Sequence, residues 1–476
     1  MISVADGVER LGALAASDAV ARLAGAFASA GHEFALVGGP VRDAFLGRAT
    51  TDLDFTTEAR PEETLRIVGP LASATWDVGR EFGTIAALVA GQRVEITTYR
   101  ADEYDGTTRK PVVAFGHDLE GDLRRRDFTV NAMALRLPDR VLVDPTGGLD
   151  DLIDGRLDTP IEPEVSFADD PLRMMRAARF TAQLGMPPAA RVTAAMAALA
   201  DSLEIVSVER IADELSKLLL TDDPVPGLRL LVDTGIADRV LPEVPALRLE
   251  ADEHAHHKDV YEHSLTVVRQ AIALERDRRL PGAPDLVLRL AALLHDIGKP
   301  ATRRVEGRTV SFHHHDVVGA KLAGKRLKAL RFDNDTIKSV CRLIELHLRF
   351  FGYSEQSWTD SAVRRYVRDA GPELERLHIL TRADVTTRNR RKAERLEFAY
   401  DDLERRIAAI AEAEDLAAIR PDLDGEAIMR VLSVPPGPVV GEAYRFLLEA
   451  RLDEGPLGAE EAERRLREWW ASRGAR

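Results

Sequence analysis

Cysteine is nearly missing: Cys341 is the only one in 476 residues. That excludes an internal disulfide and suits a reducing compartment. Long apolar runs are missing as well. No stretch of about 18 apolar residues occurs, so no membrane span is expected. The first twenty residues, MISVADGVERLGALAASDAV, carry acids early and have no apolar core of the kind a signal peptide needs. The reading that follows is a cytoplasmic chain. An excess of positive charge is absent too. Lys and Arg total 65 against 79 Asp and Glu, a net charge of −14, which argues against broad electrostatic binding of nucleic acid. Neither an internal repeat nor a low-complexity linker interrupts the chain.

What is present is unevenly distributed. KLAGKRLKALR (321–331) and TRNRRKAER (387–395) are locally basic. Taken alone these are solvated helix faces, and they become phosphate contacts only if another feature implies RNA. Nine of the twelve histidines fall between His254 and His347, which suggests metal chemistry in that region. Residues 1–30 show apolar positions at helical spacing and read as one short helix. Residues 31–150 mix strand-like runs (FALVGG, TIAALVAG, RVEITTY, RVLVDP) with helical patches. From Asp151 onward strand signals nearly vanish. PLRMMRAARFTAQLG, stopped by Met186-Pro187-Pro188, reads as an amphipathic helix. The expected organisation is an N-terminal helix (1–30), an α+β head (31–150), a helical neck (151–250), a histidine-bearing helical domain (251–390) and a helical tail (391–476).

The stretch LVGGPVRDAFLGRATTDLDF (36–55) carries the first constellation. In a strand alternate residues face one way, so Asp52 and Asp54 share a side while Leu53 points into the core. Two such carboxylates repel unless a cation lies between them, and Mg²⁺ favours carboxylate and phosphate oxygens. Two ions so held align a hydroxyl, an α-phosphorus and a pyrophosphate leaving group. Gly38 and Gly39 let backbone amides approach a triphosphate, and Arg42 adds a cation. Glu95, in RVEITTYR, is the candidate third carboxylate.

The order of strand, Gly-Gly, helical segment and Asp-Leu-Asp-Phe resembles the nucleotidyltransferase superfamily that includes DNA polymerase beta. RRDFTVNAMA (125–134), DPTGGLDDL (144–152) and DDPLRMMRAARF (169–180) follow in order. Together with LVGGPVRD they resemble the class II tRNA nucleotidyltransferase and bacterial poly(A) polymerase family over about residues 31–222. The resemblance implies a small mixed-sheet, polymerase-beta-like head followed by an all-helical neck, a histidine-aspartate (HD) domain and a tail. It implies a triphosphate or ribose contact at Arg126, ribose reading at Asp127, and nucleotide binding at Asn131. It also implies tRNA, CTP and ATP as partners.

Asp170, Arg173, Arg176 and Arg179 recur every three residues and read as one helical stripe. By itself such a stripe is an ion-pair ladder. By the resemblance, Asp170 and Arg173 read the base edge: a carboxylate only accepts and a guanidinium only donates, which suits the amine and adjacent acceptor of cytosine or adenine. Arg176 and Arg179 would serve triphosphate affinity. Asp169 stands where the family has Glu, which keeps the charge and shortens the reach. The chain lacks the strongly basic tail expected of a polymerase acting on any RNA 3′ end, so tRNA is favoured over poly(A) addition. The segment 101–123 is long enough for the flexible loop associated with adding A, so full C, C and A addition is favoured over a CC or A specialist.

DVYEHS (259–264), AALLHDIGKP (291–300), SFHHHDVVGAKLAG (311–324), ELHLRF (345–350) and LTRADVTTR (380–388) carry the third constellation. His295 and Asp296 form an adjacent ligand pair on an apolar helix, and a buried pair of that kind needs partners. With His263 and Asp384 the set resembles the HD phosphohydrolase superfamily, with His315 and His347 as candidates for a second ion. Such ligands suit Mn²⁺, Fe, Ni²⁺ or Zn²⁺. His254, His256, His257, His313, His314 and His378 read as core or surface residues.

Overall fold

The computed structural model describes residues 3–50, 52–76, 83–102, 113–116, 118–248, 259–306, 309–355, 358–386, 389–414 and 419–474. The chain forms two compact units, residues 1–240 and 241–476. The helical neck therefore groups with the head, and residues 241–248 group with the histidine-bearing unit.

The first unit is built on a seven-stranded mixed sheet. Its strands are β1 (Phe34–Val37), β2 (Leu53–Thr57), β3 (Ala72–Trp76), β4 (Thr84–Val89), β5 (Gln92–Thr98), β8 (Ala134–Leu137) and β9 (Val141–Val143). A separate hairpin pairs β6 (Arg100–Asp102) with β7 (Val113–Phe115). The sheet order is β3-β4-β5-β2-β1-β8-β9, with only β2 and β5 parallel. Strand β3 escaped the sequence reading, because ASATW is mostly exposed and carries little apolar signal.

Residues 1–30 form two helices, Val4–Ala15 and Asp18–Ser29, rather than one. The second lays Phe27 on Phe34, which stacks on Phe55, at ring separations of 4.3 and 4.6 Å. This aromatic stack, whose inner rings come from β1 and β2, pins the two central strands from one face. The core beside it joins Val37, Tyr99, Leu119, Leu123 and Ala134. Further along, the Leu172–Leu184 helix packs against the helices Val208–Leu219 and Val225–Asp233. All of its residues are buried from Leu172 to Phe180 except Arg173, Arg176 and Arg179, which are half-buried. The three-residue spacing read from the sequence is therefore a real seam.

Among its described residues the second unit is helical apart from one hairpin, β10 (Arg303–Glu306) with β11 (Thr309–Phe312), which the sparse strand signal after Asp151 did not point to. Its C-terminal helices Gly425–Leu432, Pro438–Glu454 and Ala459–Gly474 enclose a core of their own around Ile428, Leu447 and Leu466. Among the described residues no single helix is long and apolar enough to cross a membrane.

Candidate active site and metal centre

The head site forms at the start of β2. Leu53 is buried, Asp54 half-buried and Asp52 exposed, as strand alternation requires. Parallel pairing sets Asp54 directly beside Glu95 of β5, and Asp52, just before the strand, is near enough for its charge to act on Asp54. Burial raises the Asp54 pKa above its ordinary value, and the negative charges of Glu95 and Asp52 add to this against the opposing pull of Arg126 and Arg42. A carboxyl held under such repulsion is a ready cation ligand, so the donor set fits a divalent ion.

Gly38 has φ 78°, where a side chain is strained, and a Cβ there would stand 3.1 Å from Arg126 Nη1. The glycine is what admits Arg126 to the site. Its own amide, however, donates to the Met133 carbonyl at 3.1 Å. Gly39 instead opens the helix Gly39–Leu46, where backbone N–H groups have no intrahelical acceptor. Of the expected amide pair, Gly39 is the one whose N–H has no acceptor within its helix.

Arg42, expected to add a cation, is held in place by its neighbours. Only 5% exposed, it donates to both oxygens of Asp43 (2.9 and 3.0 Å) and to Asn131 Oδ1 (2.6 Å). Asn131 Nδ2 donates in turn to Asp127 Oδ1 (3.0 Å). Asp127 also accepts from the Phe128 amide (2.8 Å) and, on Oδ2, from Arg176 Nε and Nη2 (2.8 and 2.6 Å). All four of its acceptor positions are taken. Burial opposes its charge, but Arg176 and Asn131 prevail and hold its pKa at about 2. In this structure a ribose hydroxyl would have to displace one of these donors.

Arg176 also lies 3.5 Å from Glu214, and Arg179 Nε donates to the other Glu214 oxygen at 2.7 Å. These two arginines are thus tied into a chain running from Asp43 to Glu214 and do not project as free triphosphate contacts. Phe180, absent from the sequence reading, lies at its centre, with the guanidinium carbons of Arg42, Arg176 and Arg179 at 5.4, 5.5 and 4.1 Å from its ring centroid. No local pattern distinguishes it from an ordinary core phenylalanine.

Asp170 is not on the helix with the arginines. It occupies the break between helices Pro163–Asp169 and Leu172–Leu184, in extended conformation, before Pro171. Its Oδ1 accepts from the Leu172 amide (3.1 Å) and its Oδ2 from Arg210 (2.9 Å). Arg173 donates to Ser166 Oγ (2.8 Å) and to the Arg125 carbonyl (2.7 Å).

In the second unit five helix ends converge. His263 lies in the first turn of Val260–Asp277. His295 and Asp296 follow the last turn of Leu286–Leu294 rather than sitting within it. His315 opens His315–Ala329, and His347 and Asp384 close Asn334–Leu346 and Leu374–Ala383. A Cβ on Gly298 would meet the His315 carbonyl at 2.1 Å, so that glycine permits the helix start to approach the His-Asp turn. The side chains form two triads, His263/His295/Asp384 and Asp296/His315/His347.

The Nδ1 atoms of His295, His315 and His347 each face a carbonyl three residues back, at 2.9, 2.7 and 2.6 Å. That fixes the proton on Nδ1 and turns each Nε2 lone pair inward. The buried Nε2 atoms of His295 and His347 have no hydrogen-bond partner, and Asp296 and Asp384 stand 3.3 and 3.6 Å from the former. Burial works against charge on His295, yet those carboxylates outweigh it and push its pKa up to about 10, so without an ion Nε2 carries the proton that a metal would replace. His347 moves the other way, to about 4, through burial and the charge of His295. Inward lone pairs with no donor to meet fit a metal. His263 Nδ1 is held by Thr386 Oγ1 (3.0 Å), and Lys299 Nζ donates to Asp296 (2.6 Å). His313 and His314 are exposed and His378 is buried against Tyr366, consistent with their surface and core assignments. His254, His256, His257 and most of the 103–117 loop lie outside the described residues.

Comparison with known proteins gives the same class. The poly A polymerase head domain family matches residues 34–158, the probable RNA and SrmB-binding site of polymerase A matches 185–247, and the HD domain matches 260–389. The first unit therefore carries a nucleotidyltransferase head. Over 454 residues the chain is 36% identical to the A-adding tRNA nucleotidyltransferase of Deinococcus radiodurans, covering 92% of this chain and 95% of that one. It is 31% identical to the CC-adding tRNA nucleotidyltransferase of Thermus thermophilus, covering 91% and 93%. The crystal structure of the Bacillus stearothermophilus CCA-adding enzyme in complex with CTP superposes with a TM-score of 0.66 at 25% identity, covering 95% and 97%. The chain belongs to the tRNA nucleotidyltransferase family.

Proposed function

We propose that the chain adds C, C and A to the 3′ end of tRNA from CTP and ATP, without a nucleic-acid template, and releases pyrophosphate. The observation that carries this is the presence in one unit of the Asp52/Asp54/Glu95 carboxylates and of an acceptor-donor pair, Asp170 and Arg173, in the segment behind them. Asp52 and Asp54, with Glu95 beside them, would hold Mg²⁺. Bound there, the ions supply charge neutralisation at the α-phosphate and the leaving pyrophosphate. Arg126, admitted by Gly38, adds a fixed cation to the same side.

Asp170 as an acceptor suits the exocyclic amine of cytosine or adenine, and guanine and uracil would set a carbonyl against it. Such a mismatch costs about 1–3 kcal/mol, roughly 5- to 150-fold. The relatives named as A-adding and CC-adding match this chain over nearly its full length, so the architecture suits either half of the reaction. Poly(A) addition is disfavoured by those relatives. The test is incubation of tRNA lacking its 3′ end with each labelled triphosphate. Addition of C, C and then A supports the proposal. A alone, CC alone or a long A tract overturns it.

The orphaned Nε2 atoms of His295 and His347 favour a second reading for the second unit, a transition-metal phosphohydrolase. His263, His295 and Asp384 would hold one ion and Asp296, His315 and His347 another, supplying Lewis-acid polarisation of a phosphate ester. His295→Ala with Asp296→Ala should remove bound metal and any phosphatase or cyclic phosphodiesterase activity while nucleotide addition survives. Wild-type protein purified without chelator and found free of metal would refute it.

A further inference from the structure

The base-reading carboxylate has a partner that the sequence did not suggest. Arg210 stands at the third position of the Val208–Leu219 helix, and its Nη2 donates to Asp170 Oδ2 at 2.9 Å. Four residues later, on the same face, Glu214 is 2% exposed and accepts from Arg179 and Arg176. This helix thus presents a positive and then a negative group. The facing segment answers with Asp170 first and Arg176 and Arg179 after it.

The two ends of this ladder differ in setting. Glu214 is enclosed, so its ion pairs belong to the fold. The Asp170 and Arg210 side chains are 32% and 54% exposed, and a pair so wetted contributes little to stability. Its effect is orientation. Asp170 is off the helix and before Pro171, so no helical packing fixes its χ angles. The Leu172 amide takes Oδ1 and Arg210 takes one position of Oδ2. A carboxylate oxygen has two acceptor positions, so one on Oδ2 is left for a base amine without displacing the arginine.

We propose that Arg210 is a positioning residue for base selection: it holds the Asp170 carboxylate with its remaining acceptor toward the incoming base, and so sets the preference for C and A. This rests on the base-reading role proposed above for Asp170. Arg210 pairs with Asp170 rather than with the Asp52, Asp54 and Glu95 carboxylates, so its loss should alter the choice of nucleotide more than the rate of the step.

The test is kcat/KM for all four triphosphates on one truncated tRNA, in wild type, Arg210→Ala, Arg210→Lys, Asp170→Ala and the double alanine variant. Arg210→Ala should lower C and A on the order of 10-fold and U and G little, with the melting temperature unchanged. Arg210→Lys should recover part of the preference, since a point charge restores attraction but not the planar geometry. The double variant should match Asp170→Ala. An equal loss for all four bases with a lowered melting temperature would make Arg210 a brace of the fold and overturn the proposal. Faster C and A addition in Arg210→Ala would make it an obstruction and overturn it too. If Asp170→Ala shifts base choice and Arg210→Ala does not, base reading stands and the positioning role fails. If Asp170→Ala spares base choice, the base-reading role itself fails.

Discussion

Asp127→Asn isolates the charge of the buried hub while keeping its shape. The wild-type carboxylate accepts four hydrogen bonds, two of them from Arg176. Its pKa is held at about 2 against an ordinary 3.8, and each unit is about 1.4 kcal/mol, so the charge stabilises the folded state by about 2.5 kcal/mol at neutral pH. A second route gives a similar figure. Removing one member of a buried pair costs about 3–5 kcal/mol, and Arg176, 34% exposed, recovers part of that by meeting water. The expected loss at pH 7 is therefore about 2–3 kcal/mol. Because the folded pKa is depressed, this contribution is fully present above 3.8 and is lost as pH falls toward 2. The gap between wild type and Asp127→Asn should close over that window.

The chain has two compact units, so the measurement should follow one segment, not a global melt. Hydrogen-exchange protection of the Leu172–Leu184 helix against urea, at several pH values, is the appropriate assay. Equal protection at pH 7, or a gap that persists unchanged below pH 3, would show that the Asp127–Arg176 pair adds no net stability and that the hub is held by packing around Phe180.

Asp54→Asn should abolish nucleotide addition and leave the head as stable as wild type or more so, because burial and the neighbouring Glu95 and Asp52 already disfavour its charge. A strongly destabilised variant would contradict this. Reversing Arg390 and Arg391 to Glu should weaken tRNA binding and flatten its salt dependence by roughly 1–2 in log–log slope, without affecting triphosphate binding. An unchanged slope would return these exposed residues to an ordinary solvated face. Burial holds the His378 pKa at about 4, despite Glu404 3.6 Å away, so the unfolded chain takes the proton first between pH 6.5 and 4. Acidification through that window should cost the second unit on the order of 3 kcal/mol, and His378→Gln should remove that slope in a pH series of urea midpoints.

Much of the site was legible in residue order alone. Strand alternation placed Asp52 and Asp54 on one side of Leu53, and the three-residue spacing of Arg173, Arg176 and Arg179 marked the seam of a buried helix. The His295-Asp296 pair was legible because such a pair on apolar sequence calls for partners, while His263 and Asp384 joined it only through the family resemblance. These features are local: they depend on the period of a strand or helix and on the chemistry of adjacent side chains.

What tertiary structure decided was partnership across long stretches of chain. Residue order marked Arg42 as a nearby cation, but not that Asn131, 89 residues away, would hold it in the interior. Asp127 became the centre of a polar chain through Arg176, 49 residues on. Asp170 left the arginine stripe because Pro171 breaks the helix there, and Arg210, 40 residues later, took its free oxygen. The six histidine and aspartate side chains divided into two triads because five helix ends meet at one point, with Gly298 allowing a close approach. Local periodicity reports which face a residue occupies. Which oppositely charged group meets it there depends on how helices pack, and only the folded chain determines that.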